Sequence, residues 1–172
     1  GLRSATLPFP RIVPHSDGAG VIDAVGAGVP VSRVGERVWI WNAAWNRAYG
    51  TAAQYVVLPA GQAVALPRTV PFDAGACLGI PALTALHAVQ VDGGVTGKTV
   101  LVTGGAGAVG QYAIQMAKLA GARRVFATVS SQDKAVLARE AGADFAIDFR
   151  RDEVAAGVRE ATEGEGVDRV IE

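Results

Sequence analysis

The sequence is short of the residues that build metal clusters and disulfides. Its 172 residues include one cysteine, Cys77, and two histidines, His15 and His87. One cysteine excludes an intramolecular disulfide and a multi-cysteine metal site, and it fits a reducing cytosol. An excess of either charge is also missing, since 16 Lys and Arg balance 16 Asp and Glu. Six basic and three acidic residues precede Pro71, against ten basic and thirteen acidic from there on. Neither half carries the basic field that nonspecific nucleic-acid binding or an acidic membrane surface requires. A small-molecule partner is expected instead. The opening Gly1-Leu2-Arg3-Ser4 lacks the apolar core of a signal peptide. Ala74 to Val91 is free of Asp, Glu, Lys and Arg, and its length sits at the lower edge for a bilayer span. Gly75, Gly79, Pro81, His87 and Gln90 interrupt it, so a helix buried between two domains is expected there. Within it Cys77 reads as a small buried hydrophobe rather than a reactive thiol.

What is present is a globular pattern. Hydrophobic residues make up 50% of the chain and charged ones 19%, enough apolar surface for a packed core. Residues 1–71 read as β structure. Glycine-bounded strands are predicted at Gly18–Gly26, Val38–Trp41, Ala53–Pro59 and Ala63–Pro67, a spacing that suits a small barrel. From residue 72 to 172 the period changes. A helix is predicted over Ala82–Val91, then strands at Lys98–Thr103, Arg124–Val129, Asp144–Ile147 and Val167–Ile171. Helices at Ala108–Ala120, Ser130–Ala141 and Asp152–Thr162 separate them, with Gly121 and Gly142 as stops and a Ser130-x-x-Asp133 start. This β-α-β-α-β-α-β order predicts a parallel sheet with helices on both faces. A six-stranded dinucleotide fold needs two more strands, and both ends of the chain look cut.

Thr103-Gly104-Gly105-Ala106-Gly107-Ala108-Val109-Gly110 leaves a strand and opens a helix. Gly104 permits the sharp turn, Gly107 lets the backbone approach a pyrophosphate, and Gly110 lets helix and sheet pack closely. Free amides at the helix start, at Ala108, Val109 and Gly110, then face the anion. The first glycine interval is one residue longer than in G-x-x-G's commoner relative G-x-G-x-x-G. A ligand-free glycine turn is the competing reading, weakened by the position between strand and helix. The next strand ends Ala127-Thr128-Val129-Ser130-Ser131, without the carboxylate that would hold a ribose 2′-hydroxyl. Lys134 places a cation in the first turn of a helix, against the helix dipole, unless an anion binds there. Ser130, Ser131 and Lys134 together suit a 2′-phosphate, which selects NADPH. A solvated lysine and a capping role for Asp133 are the plainer alternatives.

Several runs then resemble one family. They are His15-Ser16-Asp17-Gly18-Ala19-Gly20-Val21, Val34-Gly35-Glu36-Arg37-Val38, Tyr49-Gly50-Thr51-Ala52-Ala53-Gln54-Tyr55-Val56 and Ile80-Pro81-Ala82-Leu83-Thr84-Ala85. The Gly104–Gly110 loop, Glu140-Ala141-Gly142-Ala143-Asp144 and Gly164-Glu165-Gly166-Val167-Asp168 continue the match in order. The chain resembles the zinc-free NADPH:quinone oxidoreductases, zeta-crystallin type, of the medium-chain dehydrogenase/reductase superfamily. The resemblance implies an α/β chain: a partial GroES-like β-barrel domain over residues 1–71, then a truncated Rossmann doubly wound parallel sheet over 72–172. It further implies that Thr84 lies near the nicotinamide and that Lys134 holds the 2′-phosphate. The family's Asn-Tyr-Arg is here Asp148-Phe149-Arg150, so Phe149 keeps packing but no hydroxyl. Zinc alcohol dehydrogenases of the superfamily place ligands where this chain has Ser16 and Pro81, so no metal site is expected. His15 then reads as a turn histidine and His87 as a satisfied core histidine.

Without Lewis-acid zinc, the acceptors that fit are flat and conjugated. The expected activity is hydride transfer from NADPH to a quinone; an enal or enone reductase and a non-enzymatic NADPH-binding structural or sensor protein are the alternatives. Cofactor contacts are expected from Thr84, Gly104, Gly107, Ala108, Val109, Gly110, Ser130, Ser131, Lys134 and Phe149. No catalytic acid is assigned. Trp39, Trp41 and Trp45 fit an aromatic wall or ordinary core packing equally. A cytoplasmic homodimer is expected for the full-length protein.

Overall fold

The computed structural model describes residues 7–172. Gly1–Ser4, noted above for lacking a signal-peptide core, lies outside the described residues. The chain forms two compact units, Gly1–Ile80 and Pro81–Glu172. The division falls after Ile80 rather than at Pro71 because a short helix, α1 (Phe72–Ala76), packs on the strands of the first unit. Gly75 makes that approach possible: a β-carbon there would lie 2.8 Å from Leu66 Cδ2 and 3.3 Å from Ala19 Cβ.

In the first unit, β1 (Gly18–Val21), β2 (Arg37–Ile40) and β3 (Ala63–Ala65) form an antiparallel sheet in that order. Val38 and Ile40 alternate inward along β2, whereas Trp39 between them is half-buried. Arg33 knits the turns together, donating from Nη1 to Ala60 O at 3.1 Å and from Nη2 to Ala63 O at 2.7 Å. Arg37 lies over the Phe72 ring, 3.9 Å from its centroid, which binds α1 to the start of the central strand.

The strand predicted at Ala53–Pro59 is absent. Its backbone finds no ladder partner among the described residues, and Tyr55 and Val57 are 75% and 93% exposed. A hollow of about 470 Å³ lies between this segment and the inward side of the three-stranded sheet.

The second unit is the alternating pattern made real. The strands β4 (Thr99–Val102), β5 (Arg124–Val129), β6 (Phe145–Asp148) and β7 (Arg169–Ile171) are all parallel. Their order is β6-β5-β4-β7, so the chain winds outward one way from β4 and then crosses to its other side. Between them run α3 (Ala108–Leu119), α4 (Gln132–Glu140) and α5 (Val154–Ala161). One face carries Val100, Val102, Val125, Ala127 and Val129 against Ala113, Ile114 and Ala117 of α3 and Ala135 and Ala138 of α4. The opposite face carries Phe126 and Ile147 against Val158 of α5. Burial on both faces explains why these strands read as continuous apolar runs. Phe126 and Phe145 are register partners with rings stacked at 4.5 Å, worth about 0.5–1.5 kcal/mol beyond their buried area.

The run Ala74–Val91 is two helices, α1 and α2 (Gly79–Gln90), broken at Cys77-Leu78. No helix among the described residues is long and apolar enough to cross a membrane. Pro81 sits in the first turn of α2, where its missing N–H removes no intrahelical bond. Gly79, Ala82, Ala85 and Val89 are the buried residues of α2, one narrow stripe. His87 is therefore exposed and is not a core histidine. Cys77, at the turn that ends α1, is exposed as well and is not a buried hydrophobe.

Candidate functional site

A parallel sheet presents the ends of its strands at one edge, and three predicted segments meet there. Thr103–Gly107 leaves β4, Ser130 and Ser131 leave β5, and Phe149 leaves β6. Open parallel sheets bind ligands at this C-terminal edge, beside the point where strand order reverses. Here that point lies between β4 and β7.

Gly104 has a φ of +61°, a conformation that disfavours any side chain, and it turns the loop out of β4. Gly107 is the N-cap of α3 and has no side chain with which to cap it. The backbone bond back into the helix begins with Gln111 N, which donates to Gly107 O at 2.9 Å. The amides of Ala108, Val109 and Gly110 are thus the first-turn donors that a helix start offers to an anion. A β-carbon at Gly107 would sit 3.2 Å from Gly104 O, a tight contact at the mouth of the loop.

The role expected of Gly110 needs correction. A β-carbon there would lie 2.3 Å from Gly104 O and 2.9 Å from Gly105 Cα, so the helix packs on its own loop, not on the sheet. Gly105 is the residue pressed on the sheet, since its β-carbon would meet Ala127 Cβ of β5 at 2.6 Å and Ile114 Cδ1 at 3.1 Å. Sequence reasoning passed over Gly105 because the three-residue spacing drew attention to its neighbours. It also passed over Gln111, whose Nε2 donates to Ala106 O at 3.1 Å and ties the loop crown to α3.

On β5's extension, Lys134 Nζ donates to Ser130 Oγ at 2.9 Å. Ser131, rather than Ser130, is the N-cap of α4, its Oγ accepting from Lys134 N at 3.4 Å. Ser130 is left to meet the lysine head instead. All three side chains therefore converge on one helix start. Phe149 is 53% exposed, and its N–H donates to Val129 O at 3.1 Å, which holds it next to the end of β5. Thr84 is exposed on α2, and its hydroxyl makes no hydrogen bond among the described residues, to its own turn or elsewhere.

Two of the matched motifs turn out to be structural. Asp144 Oδ2 accepts from Val125 N at 2.7 Å and Asp168 Oδ2 accepts from Thr99 N at 2.7 Å. Each carboxylate accepts from an amide at the start of the neighbouring strand, the second of β5 and the first of β4, at the edge opposite the glycine loop. In the first unit, Asp17 does a related job: its Oδ1 accepts from Ile80 N at 2.9 Å at the start of α2. Among the described residues no three His, Cys, Asp or Glu side chains gather as a metal-binding set. Of the tryptophans none is fully buried; Trp45 is 64% exposed and Trp41 Nε1 donates to Gly61 O at 3.2 Å.

Comparison with known proteins identifies the family. Residues 2–68 match the alcohol dehydrogenase GroES-like domain, and residues 108–172 match the zinc-binding dehydrogenase domain. The chain belongs to the medium-chain dehydrogenase/reductase superfamily. It is 35% identical over 165 residues to a quinone oxidoreductase of Pseudomonas aeruginosa, covering 94% of this chain and 49% of that protein. To the 2-methylene-furan-3-one reductase of Solanum lycopersicum it is 36% identical over 155 residues, or 87% of this chain and 39% of the relative. The crystal structure of Escherichia coli quinone oxidoreductase complexed with NADPH superposes with a TM-score of 0.85 at 28% identity, covering 98% of this chain and 50% of that one. The chain thus spans half or less of the length of these relatives. Its fold is α/β, with a GroES-like first unit and a Rossmann-like second one.

Proposed function

We propose that this medium-chain reductase binds NADPH at the C-terminal edge of its parallel sheet and delivers hydride, without zinc, to a quinone or similar conjugated acceptor. One observation carries the reading. The glycine loop and the Ser130–Lys134 pair lie at the ends of adjacent strands, and no carboxylate follows β5 before Asp133. The cofactor, once bound, supplies the hydride. The protein supplies its placement: first-turn amides of Ala108, Val109 and Gly110 for the pyrophosphate, with Gly104 and Gly107 keeping side chains out of the way. Ser130, Ser131 and Lys134 take the 2′-phosphate, Phe149 packs beside them, and Thr84 borders the nicotinamide by resemblance to the family. Neither Ser16 nor Pro81 offers zinc a usual ligand, since zinc takes three or four nitrogen, sulfur or carboxylate donors.

The similarity to an enone-type reductase from tomato supports an activated alkene as the second acceptor class. Kinetics with a quinone and an enone side by side separate the two, and cofactor binding with no turnover of either supports a sensor role. Titration tests the cofactor: NADPH should bind at least tenfold tighter than NADH, about 1.4 kcal/mol. Equal dissociation constants would remove the 2′-phosphate assignment. Activity should survive exhaustive chelation, and one zinc per chain by elemental analysis would contradict the zinc-free reading. A cytosolic homodimer completes the proposal, and light scattering on the full-length protein checks the dimer.

A further inference from the structure

We propose that Thr128 is a positioning residue that fixes the glycine loop at a set distance from the 2′-phosphate subsite, a role that rests on the nucleotide reading above. Thr128 is the penultimate residue of β5 and is 8% exposed. It holds the loop by two bonds. Its Oγ1 accepts from Gly104 N at 3.0 Å, and its carbonyl accepts from Gly105 N at 2.9 Å. Two residues further along, just past the end of the strand, Ser130 Oγ accepts from Lys134 Nζ at 2.9 Å. One short stretch of β5 therefore holds the pyrophosphate loop on one side and leads into the lysine on the other.

These bonds also sort the loop's donors. With Gly104 N and Gly105 N turned to Thr128, and Gly107 N donating to Gly104 O at 2.8 Å, the loop directs those three amides inward. The helix-start amides of Ala108–Gly110 remain for a ligand. Valine at position 128 would keep the β-branched shape and the carbonyl bond, and remove only the Oγ1 acceptor. Gly104 N–H would then lose its partner at the turn whose φ is +61°. The loop could swing without altering Ser130 or Lys134.

The test titrates the parent, Thr128→Val, Thr128→Ser and Lys134→Ala with NADPH, NADH and adenosine 2′-monophosphate, which lacks the pyrophosphate. Melting temperatures without ligand are taken in parallel. Thr128→Val should weaken NADPH and NADH alike by about tenfold, the scale of one hydrogen bond lost at a buried donor. Adenosine 2′-monophosphate should bind it as it binds the parent. Thr128→Ser should restore both dinucleotides, and Lys134→Ala should weaken NADPH and adenosine 2′-monophosphate but spare NADH. If the valine variant does not fold, Thr128→Ala takes its place against Thr128→Ser. The inference is overturned if a folded variant lacking the hydroxyl binds both dinucleotides like the parent. Equal loss of all three ligands, or a serine variant no better than valine, would overturn it too. A parent that binds neither dinucleotide would instead overturn the functional reading.

Discussion

At one edge of the parallel sheet, Asp144 and Asp168 bond directly into Val125 N and Thr99 N, and Lys118 Nζ reaches Asp144 Oδ1 at 2.9 Å. At the other edge the same two strands, β4 and β5, run out into Gly104–Gly107 and Ser130-Ser131, with glycines, hydroxyls and a lysine but no carboxylate before Asp133. The acidic groups of the first edge accept from strand amides, and Asp144 from Lys118 as well, so their recorded bonds tie the sheet together. The second edge keeps helix-start amides and a cation available. Two sets of family motifs of similar prominence thus serve different ends, one stability and one binding, and only their strand edge distinguishes them.

Substitutions that treat the two edges alike would break this contrast. Gly110→Val should have the largest effect. Its side chain must displace the Gly104 carbonyl, 2.3 Å from the β-carbon position, and overpacking of that kind costs about 1–3 kcal/mol or more. Both cofactor binding and the melting temperature should fall. Asp144→Ala should cost about 1–3 kcal/mol by leaving Val125 N without its acceptor. Denaturant unfolding would register that loss, while the NADPH dissociation constant of the folded variant should stay within a factor of about two, well under 1.4 kcal/mol. A carboxylate variant at this edge that loses cofactor but not stability would merge the two edges. Lys134→Ala, the smallest change in stability, should weaken NADPH about tenfold and leave NADH nearly unchanged.

How far the sequence could be read follows the same division. Arg124–Val129 was legible to the residue as β5, because a strand buried on both faces is a plain apolar run. Helix stops at Gly121 and Gly142 were legible too, and both glycines have positive φ. The segment Ala53–Pro59 was not, since a glycine-bounded apolar run predicts a strand but not whether a partner lies alongside it. Ser130 was mistaken for the cap in place of Ser131 because two adjacent serines offer the same chemistry one residue apart. Apolar neighbours suggest a core for Cys77, which stands exposed at the turn that ends α1, and His87 lies off the one narrow stripe that α2 buries. The partners of Gly105 and Thr128 depend on contacts between loop and sheet, and that of Gly110 on the path of the loop itself, which no local pattern records.

The central claim is that the glycine loop at the second edge is a dinucleotide site and not merely a turn. Gly107 tests it most directly, because it is the N-cap of α3 and the one contact within 4 Å that a β-carbon there would meet is Gly104 O, at 3.2 Å. The decisive measurement is an NADPH titration of Gly107→Val beside its ligand-free melting temperature. The expected result is loss of NADPH binding with a smaller fall in melting temperature than Gly110→Val suffers. A Gly107→Val protein that binds NADPH like the parent would contradict the account, and the cofactor assignment would fall with it.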